Sequence, residues 1–355
     1  MTQAIPAARE WHGVDAAVFR DQVVAANQPA VLRGLVKHWP AVQAGLGTAR
    51  ALCDYIKGFD SGGSVDLLIG ESSIQGRFFY REDLKSLNFE RRPGRISDAL
   101  ELIFAHQHDA NRPAISIQSV SVPQLLPHFT DQNNISLATP SAIPRIWIGN
   151  SITVAAHYDI SDNIACVVGG RRRFTFFPPE QIANLYVGPI HFTPAGQPVS
   201  MVPLEQPDLR RYPRFQHALA AAQSAELEAG DAVYIPYLWW HHVQSLERFN
   251  VLVNYWWDDA SVQFGSPYDC LLHSFLTLRQ LPARQRAAWR AVFDHYVFQS
   301  GDDPVAHLPP ENRGALGAMT PELAAHIRAA LPMQPCKLEA MCRDGGTGRG
   351  HRLVM

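Results

Sequence analysis

The chain is 355 residues long, 46% hydrophobic and 18% charged, with a formal net charge of −2. That size suits one large domain, or a core with an accessory lobe, and the near-neutral charge supplies no global field toward nucleic acid or anionic lipid. No apolar run approaches the roughly 18 residues of a membrane span. The first ten residues lack a secretory signal's basic-then-apolar pattern, and Cys53, Cys166, Cys270, Cys336 and Cys342 fall at spacings that suggest neither a zinc knuckle nor a disulfide framework. A cytoplasmic protein with reduced thiols and neither nucleic-acid nor membrane partners is expected.

Residues 15–27 have apolar residues at helical spacing, with Val23 and Val24 directed inward. Residues 29–35 read as a short strand and 48–57 as a helix stopped by Gly58. Strands are expected over 64–69 and 77–80, around the turns at Gly70 and Gly76. Ser97 is a candidate N-cap for a helix running to Ala105, and 114–122 reads as a strand. The N-terminal third is therefore mixed α and β.

From Arg145 to Trp257 the texture changes. The runs RIWIG, NIACVV, RRFTFF, DAVYIP and NVLVNYWW follow one another between Gly, Pro and Asn punctuation, the pattern of a β-sandwich or barrel. After Phe264 the chain turns helical, with apolar residues three and four apart in LLHSFLTLRQ and ARQRAAWRAVFDHYVF. A further helix is expected over 321–330, with Thr320 as N-cap and Pro321 in its first turn. Leu272, Phe275, Trp289, Val292, Phe293 and Tyr296 need cover, either by docking back or from a second copy of the chain. Residues 336–355 are polar and Gly-rich, and disorder is expected there.

Two segments have metal-ligand character. His157-Tyr158-Asp159 reads H-x-D, and on a strand its first and third residues share a face. Trp239-Trp240-His241-His242-Val243 offers a second imidazole, but adjacent strand residues face opposite ways, so only one of the tandem histidines can join. Two imidazoles and a carboxylate on one face of a metal, with the other positions open, are the ligands of non-haem Fe(II) oxygenases.

Residues 145–257 resemble the Jumonji C, cupin-like class of Fe(II)- and 2-oxoglutarate-dependent oxygenases, and within it an asparaginyl hydroxylase. The resemblance rests on HYDISDNIACVVGGRRRFTFFPPEQIANLY (157–186), QPDLRRYPRFQ (206–216) and GDAVYIPYLWWHHVQSL (230–246), in matching order and spacing. It implies a mainly β fold with α: a double-stranded β-helix (jelly-roll) core with N-terminal α/β decoration and a C-terminal helical lobe. The implied organisation is an oxygenase domain over 1–260 with its core at 140–258, a helical lobe over 261–332 with a dimerising role, and a tail over 333–355.

By position, the resemblance implies that His157, Asp159 and His241 bind iron, with His242 left to packing or support. It places Asn163 and Asn254 near co-substrate and iron, and Arg172 where a basic residue grips the far carboxylate of 2-oxoglutarate. Alternation puts Arg172 on the face of Phe174 and Phe176, and leaves Arg171 and Arg173 outside. The family's hydroxyl three before the first histidine is replaced by Val154, with Thr153 one residue further back, where a bulge could restore it to the site. Trp256 and Gln118 are the candidate substrate-pocket residues, while Trp147 and Trp257 are expected to pack the barrel. The implied activity is a dioxygenase that consumes 2-oxoglutarate and O2, releases succinate and CO2, and hydroxylates a protein or peptide side chain. A small-molecule hydroxylase of the same class and a metal-binding cupin-like module without oxygenase activity are the alternatives, and a homodimer through the C-terminal helices is expected.

Overall fold

A computed structural model describes residues 4–331, except 140, 195, 259–263, 300 and 302. The 333–355 tail, with Cys336 and Cys342, lies outside the described residues. The chain forms two compact units, Met1–Asp258 and Asp259–Met355.

The first unit is built on thirteen strands: β1 (Arg9–His12), β2 (Ala30–Arg33), β3 (Val65–Gly70), β4 (Phe89–Gly94), β5 (Ala114–Ser121), β6 (Ile143–Gly149), β7 (Thr153–His157), β8 (Asp162–Gly169), β9 (Arg172–Phe177), β10 (Gln223–Leu227), β11 (Ala232–Ile235), β12 (Trp240–Ser245) and β13 (Asn250–Trp257). Nine form a large sheet in the order β1-β2-β11-β8-β13-β6-β5-β3-β4, and four form a smaller sheet, β10-β9-β12-β7. All pairings are antiparallel except β1 with β2.

The two sheets face each other. Val31, Ala165, Val167, Val233 and Leu252 of the large sheet share one buried cluster with Phe174, Phe176, Leu227 and Val243 of the small one. This is the jelly-roll core expected of a cupin-like domain. Sequence alternation created it: along β8 and β9 every second side chain enters the sandwich and the rest face outward. Outside the large sheet, a second core forms against helices Pro40–Gly47, Ala49–Lys57 and Ile96–Ala105. A third, outside the small sheet, is built from Phe177, Trp240, Leu185 and Phe215.

Helix Ala49–Lys57 follows its sequence closely. The Thr48 hydroxyl accepts the Ala51 N–H at 3.0 Å, Leu52, Cys53 and Ile56 are buried, and Gly58 ends the helix. Other expectations fail locally. Residues 77–80 make only isolated bridges, Arg77 with Thr153 and Tyr80 with Leu87. β3 is instead flanked by β5 and by β4, whose Arg-rich, Pro-containing sequence suits a sheet edge. Helix Ile96–Ala105 is capped by Arg95, whose N–H donates to Asp98, while the Ser97 hydroxyl donates to Asp60. In residues 15–27 a short α turn, Ala16–Val18, runs into a π-helical turn, Phe19–Val24, and this shift of period buries Val23 but leaves Val24 partly exposed.

In the second unit, helices Pro267–Thr277 and Ala283–Tyr296 contain no buried residue, whereas helix Pro321–Ala330 buries Ala324. Thr320 caps this last helix through the Leu323 N–H at 3.2 Å.

Candidate metal centre

His157 ends β7 and is paired directly with His241 on β12. Directly opposed antiparallel residues project to one side of the sheet, and the two imidazole centroids lie 4.2 Å apart. Asp159 does not arrive as expected. β7 stops at His157, and Asp159 lies in the following loop, where its carbonyl accepts the Leu238 N–H at 3.0 Å. Leu238 takes a left-handed conformation (φ 62°) in the turn before β12, so both metal-bearing segments are tied together at their ends. Asp159 Oδ2 reaches 3.6 Å from His241 Nε2. One donor atom from each of His157, Asp159 and His241 lies within 4.8 Å of the others.

The rings are oriented for metal. His157 Nδ1 lies 2.9 Å from the Ala155 carbonyl and His241 Nδ1 lies 3.1 Å from the Trp239 carbonyl. A carbonyl only accepts, so each Nδ1 holds the proton and each Nε2 presents its lone pair. Burial, then repulsion from His157, push the His241 pKa down to about 4 against the pull of Asp159. The imidazole is therefore neutral, and its contact with Asp159 is not an ion pair. His242 projects to the other face of the small sheet, with Nε2 3.2 Å from Glu205 Oε1. The structure thus groups His241, and not His242, with the H-x-D segment. Two imidazole nitrogens and a hard carboxylate, without a thiolate, fit Fe(II).

Arg172 projects between the sheets, opposite Ser245 on β12, and is 4% exposed. Its Nε has no hydrogen-bond partner, no carboxylate pairs with it among the described residues, and burial pushes its pKa down to about 10. Its neighbours differ: Arg171 pairs with Glu247, and Arg173 with Glu226, in half-exposed positions. A lone buried guanidinium calls for an anion. Arg172 stands four residues from Phe176, the partner of His241, a strand distance of about 13 Å. A dicarboxylate that reaches a metal with one end and Arg172 with the other fits this separation.

β7 does contain a bulge. His157 pairs with His241, but Val154, not Ala155, pairs with Val243. This parity turns Val154 inward against Val243 and leaves Thr153 opposite Gln244, on the outer face with Arg173. The expected Thr153 contact with 2-oxoglutarate is therefore corrected: plain alternation would have kept Thr153 on the face of His157, and the extra residue of the bulge turns it outward and puts the neighbouring valine inward.

Asn254 Nδ2 donates to Asn163 Oδ1 at 3.0 Å, and both residues are buried. Their alternation with Leu252 and Ala165 puts them on the inner face. Trp256 follows on that face and meets Trp147 edge-to-face, with ring centroids 6.1 Å apart. Trp147 packs against the core between the sheets, as expected, and also meets Trp256, whereas Trp257 packs in the outer core. Gln118 is half-buried and lies in an irregular stretch of β5 across from Trp147. Arg145 escaped sequence reading: it lies directly opposite Asn254, its guanidinium 6.0 Å from the Trp256 ring centroid. The available signal was alternation, since Arg145 is two residues before Trp147.

Residues 15–263 match the cupin-like domain family, and the chain belongs to that family, here with Jumonji C domain relatives. It is 33% identical over 49% of its length to lysine-specific demethylase JMJ31 of Arabidopsis thaliana, covering 30% of that protein. It is 28% identical over 68% of its length to the human bifunctional peptidase and (3S)-lysyl hydroxylase JMJD7, covering 80% of it. A mouse tRNA wybutosine-synthesizing protein 5 is 39% identical over 28% of this chain and 29% of its own. The chain thus spans less than a third of two of these three relatives.

Proposed function

We propose that this protein is an Fe(II)- and 2-oxoglutarate-dependent dioxygenase that hydroxylates a protein or peptide side chain. The observation that carries the reading is the convergence of two Nε2 lone pairs and the Asp159 carboxylate on the inner face of a sandwich that also buries an unpaired Arg172. His157, Asp159 and His241 would hold the metal, and Arg172 would hold the far carboxylate of 2-oxoglutarate. Bound iron with 2-oxoglutarate and O2 supplies oxidation of a substrate C–H bond coupled to decarboxylation, giving succinate and CO2.

The chain's own residues bind and orient. The Ala155 and Trp239 carbonyls fix the two imidazole rings, so little reorganisation accompanies metal binding. Val154, Phe174 and Phe176 keep the space between Arg172 and the histidines dry, which strengthens the hold of a guanidinium on a carboxylate. The Asn163–Asn254 pair leaves Asn254 Oδ1 without a donor, an acceptor available to a bound group.

A protein or peptide substrate draws support from the names of the demethylase and lysyl hydroxylase relatives. The tRNA wybutosine-synthesizing relative favours a nucleic-acid substrate as second reading. The net charge of −2 weighs against it. A homodimer through the C-terminal unit belongs to the same proposal: Leu276, Val297 and Phe298 are 80%, 59% and 68% exposed, and a second copy would cover such a surface.

The test is succinate release from 2-oxoglutarate with Fe(II) and O2, with His157→Ala as control. Turnover that requires His157 supports the reading. Absence of both turnover and 2-oxoglutarate affinity would leave a metal-binding cupin-like module.

A further inference from the structure

The oxygenase reading leaves the substrate's chemistry open, and the role inferred for Arg145 rests on that reading. Arg145 projects from β6 onto the inner face, opposite Asn254 and next in alternation to Trp147. Its place is fixed by a bulge in β5: between Ile117 and Val120 that strand spends one residue more than β6. Within the bulge Ser119 is left-handed (φ 54°), and its carbonyl accepts Arg145 Nη1–H at 2.7 Å. The guanidinium also faces Trp256 at 6.0 Å. No carboxylate pairs with Arg145 among the described residues, so most of its five donors are available.

The surrounding groups are mainly donors. The indole N–H groups of Trp147 and Trp256 are buried and meet no acceptor among the described residues. Gln118 lies within the bulge across from Trp147, and the acceptor Asn254 Oδ1 meets no donor among the described residues. Arginine and two indoles can only donate. A patch rich in unused donors, with a fixed positive charge over one of its rings, suits a ligand with anionic oxygens. It is poorly suited to an ammonium, because Arg145 already occupies the cation's place at Trp256 and like charges repel. That sets this chain apart from what the lysine-directed names of its relatives would require.

We propose that the inner-face patch of Trp147, Trp256 and Arg145 selects an acidic peptide, with an Asp or Glu carboxylate bound by Arg145. Arg145 is then a specificity-determining residue, and a basic peptide is excluded by charge.

The experiment uses the full chain loaded with Mn(II) and 2-oxoglutarate. Three peptide pools of equal length, with Asp/Glu, Ala or Lys at the fixed positions, are titrated by calorimetry. The acidic pool is expected to bind at least about tenfold more tightly than the basic pool, the effect of one charge-assisted contact. Arg145→Gln should bring that ratio close to one, and Arg145→Glu should invert it. Equal or tighter binding of the basic pool to the wild type would overturn the proposal, as would a ratio that survives Arg145→Gln, or no binding of any pool. Failure of the wild type to bind 2-oxoglutarate itself would instead remove the oxygenase reading, and this inference with it.

Discussion

Replacing Arg172 by methionine should stabilise the protein without ligand and abolish its response to 2-oxoglutarate. The guanidinium is 4% exposed with no paired carboxylate among the described residues, and burial alone lowers its pKa from the ordinary arginine value to about 10. At about 1.4 kcal/mol per pH unit, that fall corresponds to about 3 kcal/mol of native-state penalty. The penalty applies at every pH below the folded value of about 10 and fades only as pH rises beyond it toward the ordinary arginine value, so the gain should be equal at pH 6 and pH 8. An apolar replacement of similar length typically recovers about 1–3 kcal/mol, or about 2–10 °C in melting temperature for a unit of this size. For the wild type with Mn(II), 2-oxoglutarate at a hundred times its Kd should add about 2.7 kcal/mol; Arg172→Met should add almost none. Thermal melts with and without ligand read both effects. A variant that melts several degrees below the wild type and still responds to 2-oxoglutarate would refute the reasoning.

The same geometry sets further outcomes. Asp159→Ala or His241→Ala should weaken Mn(II) binding by at least about a hundredfold, because each removes one of three ligands, whereas His242→Ala, on the other face, should change it less than threefold; calorimetric titration separates them. Thr153→Val should leave 2-oxoglutarate affinity within twofold of wild type, since register turns this residue outward, and a larger loss would contradict the bulge parity. Light scattering should give a dimer mass for the wild type and a monomer mass for Leu276→Asp with Phe298→Asp, and a monomeric wild type would end the dimer proposal. Thr48→Ala should lower stability by about 1 kcal/mol through loss of the Ala51 cap, as read by denaturant titration.

Legibility in the sequence depended on whether the governing interaction was local. The strands around NIACVV, RRFTFF and NVLVNYWW were legible because two faces of different polarity impose a period of two. Arg172 was placed inward by the same alternation. What failed depended on irregularity or on distant partners. Asp159 reaches the histidines from a loop tied to Leu238, not along a strand, and nothing in H-x-D specifies that. The bulge in β7 has no local signature, yet it decides between Thr153 and Val154. Ser97 and Asp98 both suit a helix start, and only the distant carboxylate of Asp60 draws Ser97 away. Arg145 has no local signal of its role: the distant partners Asn254 and the Ser119 carbonyl give it its direction.

The most direct test of the metal and co-substrate assignment is a crystal structure of the full chain grown with Mn(II) and 2-oxoglutarate. One metal ion is expected about 2 Å from His157 Nε2, His241 Nε2 and an Asp159 oxygen, with the far carboxylate of the ligand on Arg172. A metal ion held by His242, or a co-substrate that leaves Arg172 untouched, would contradict that assignment.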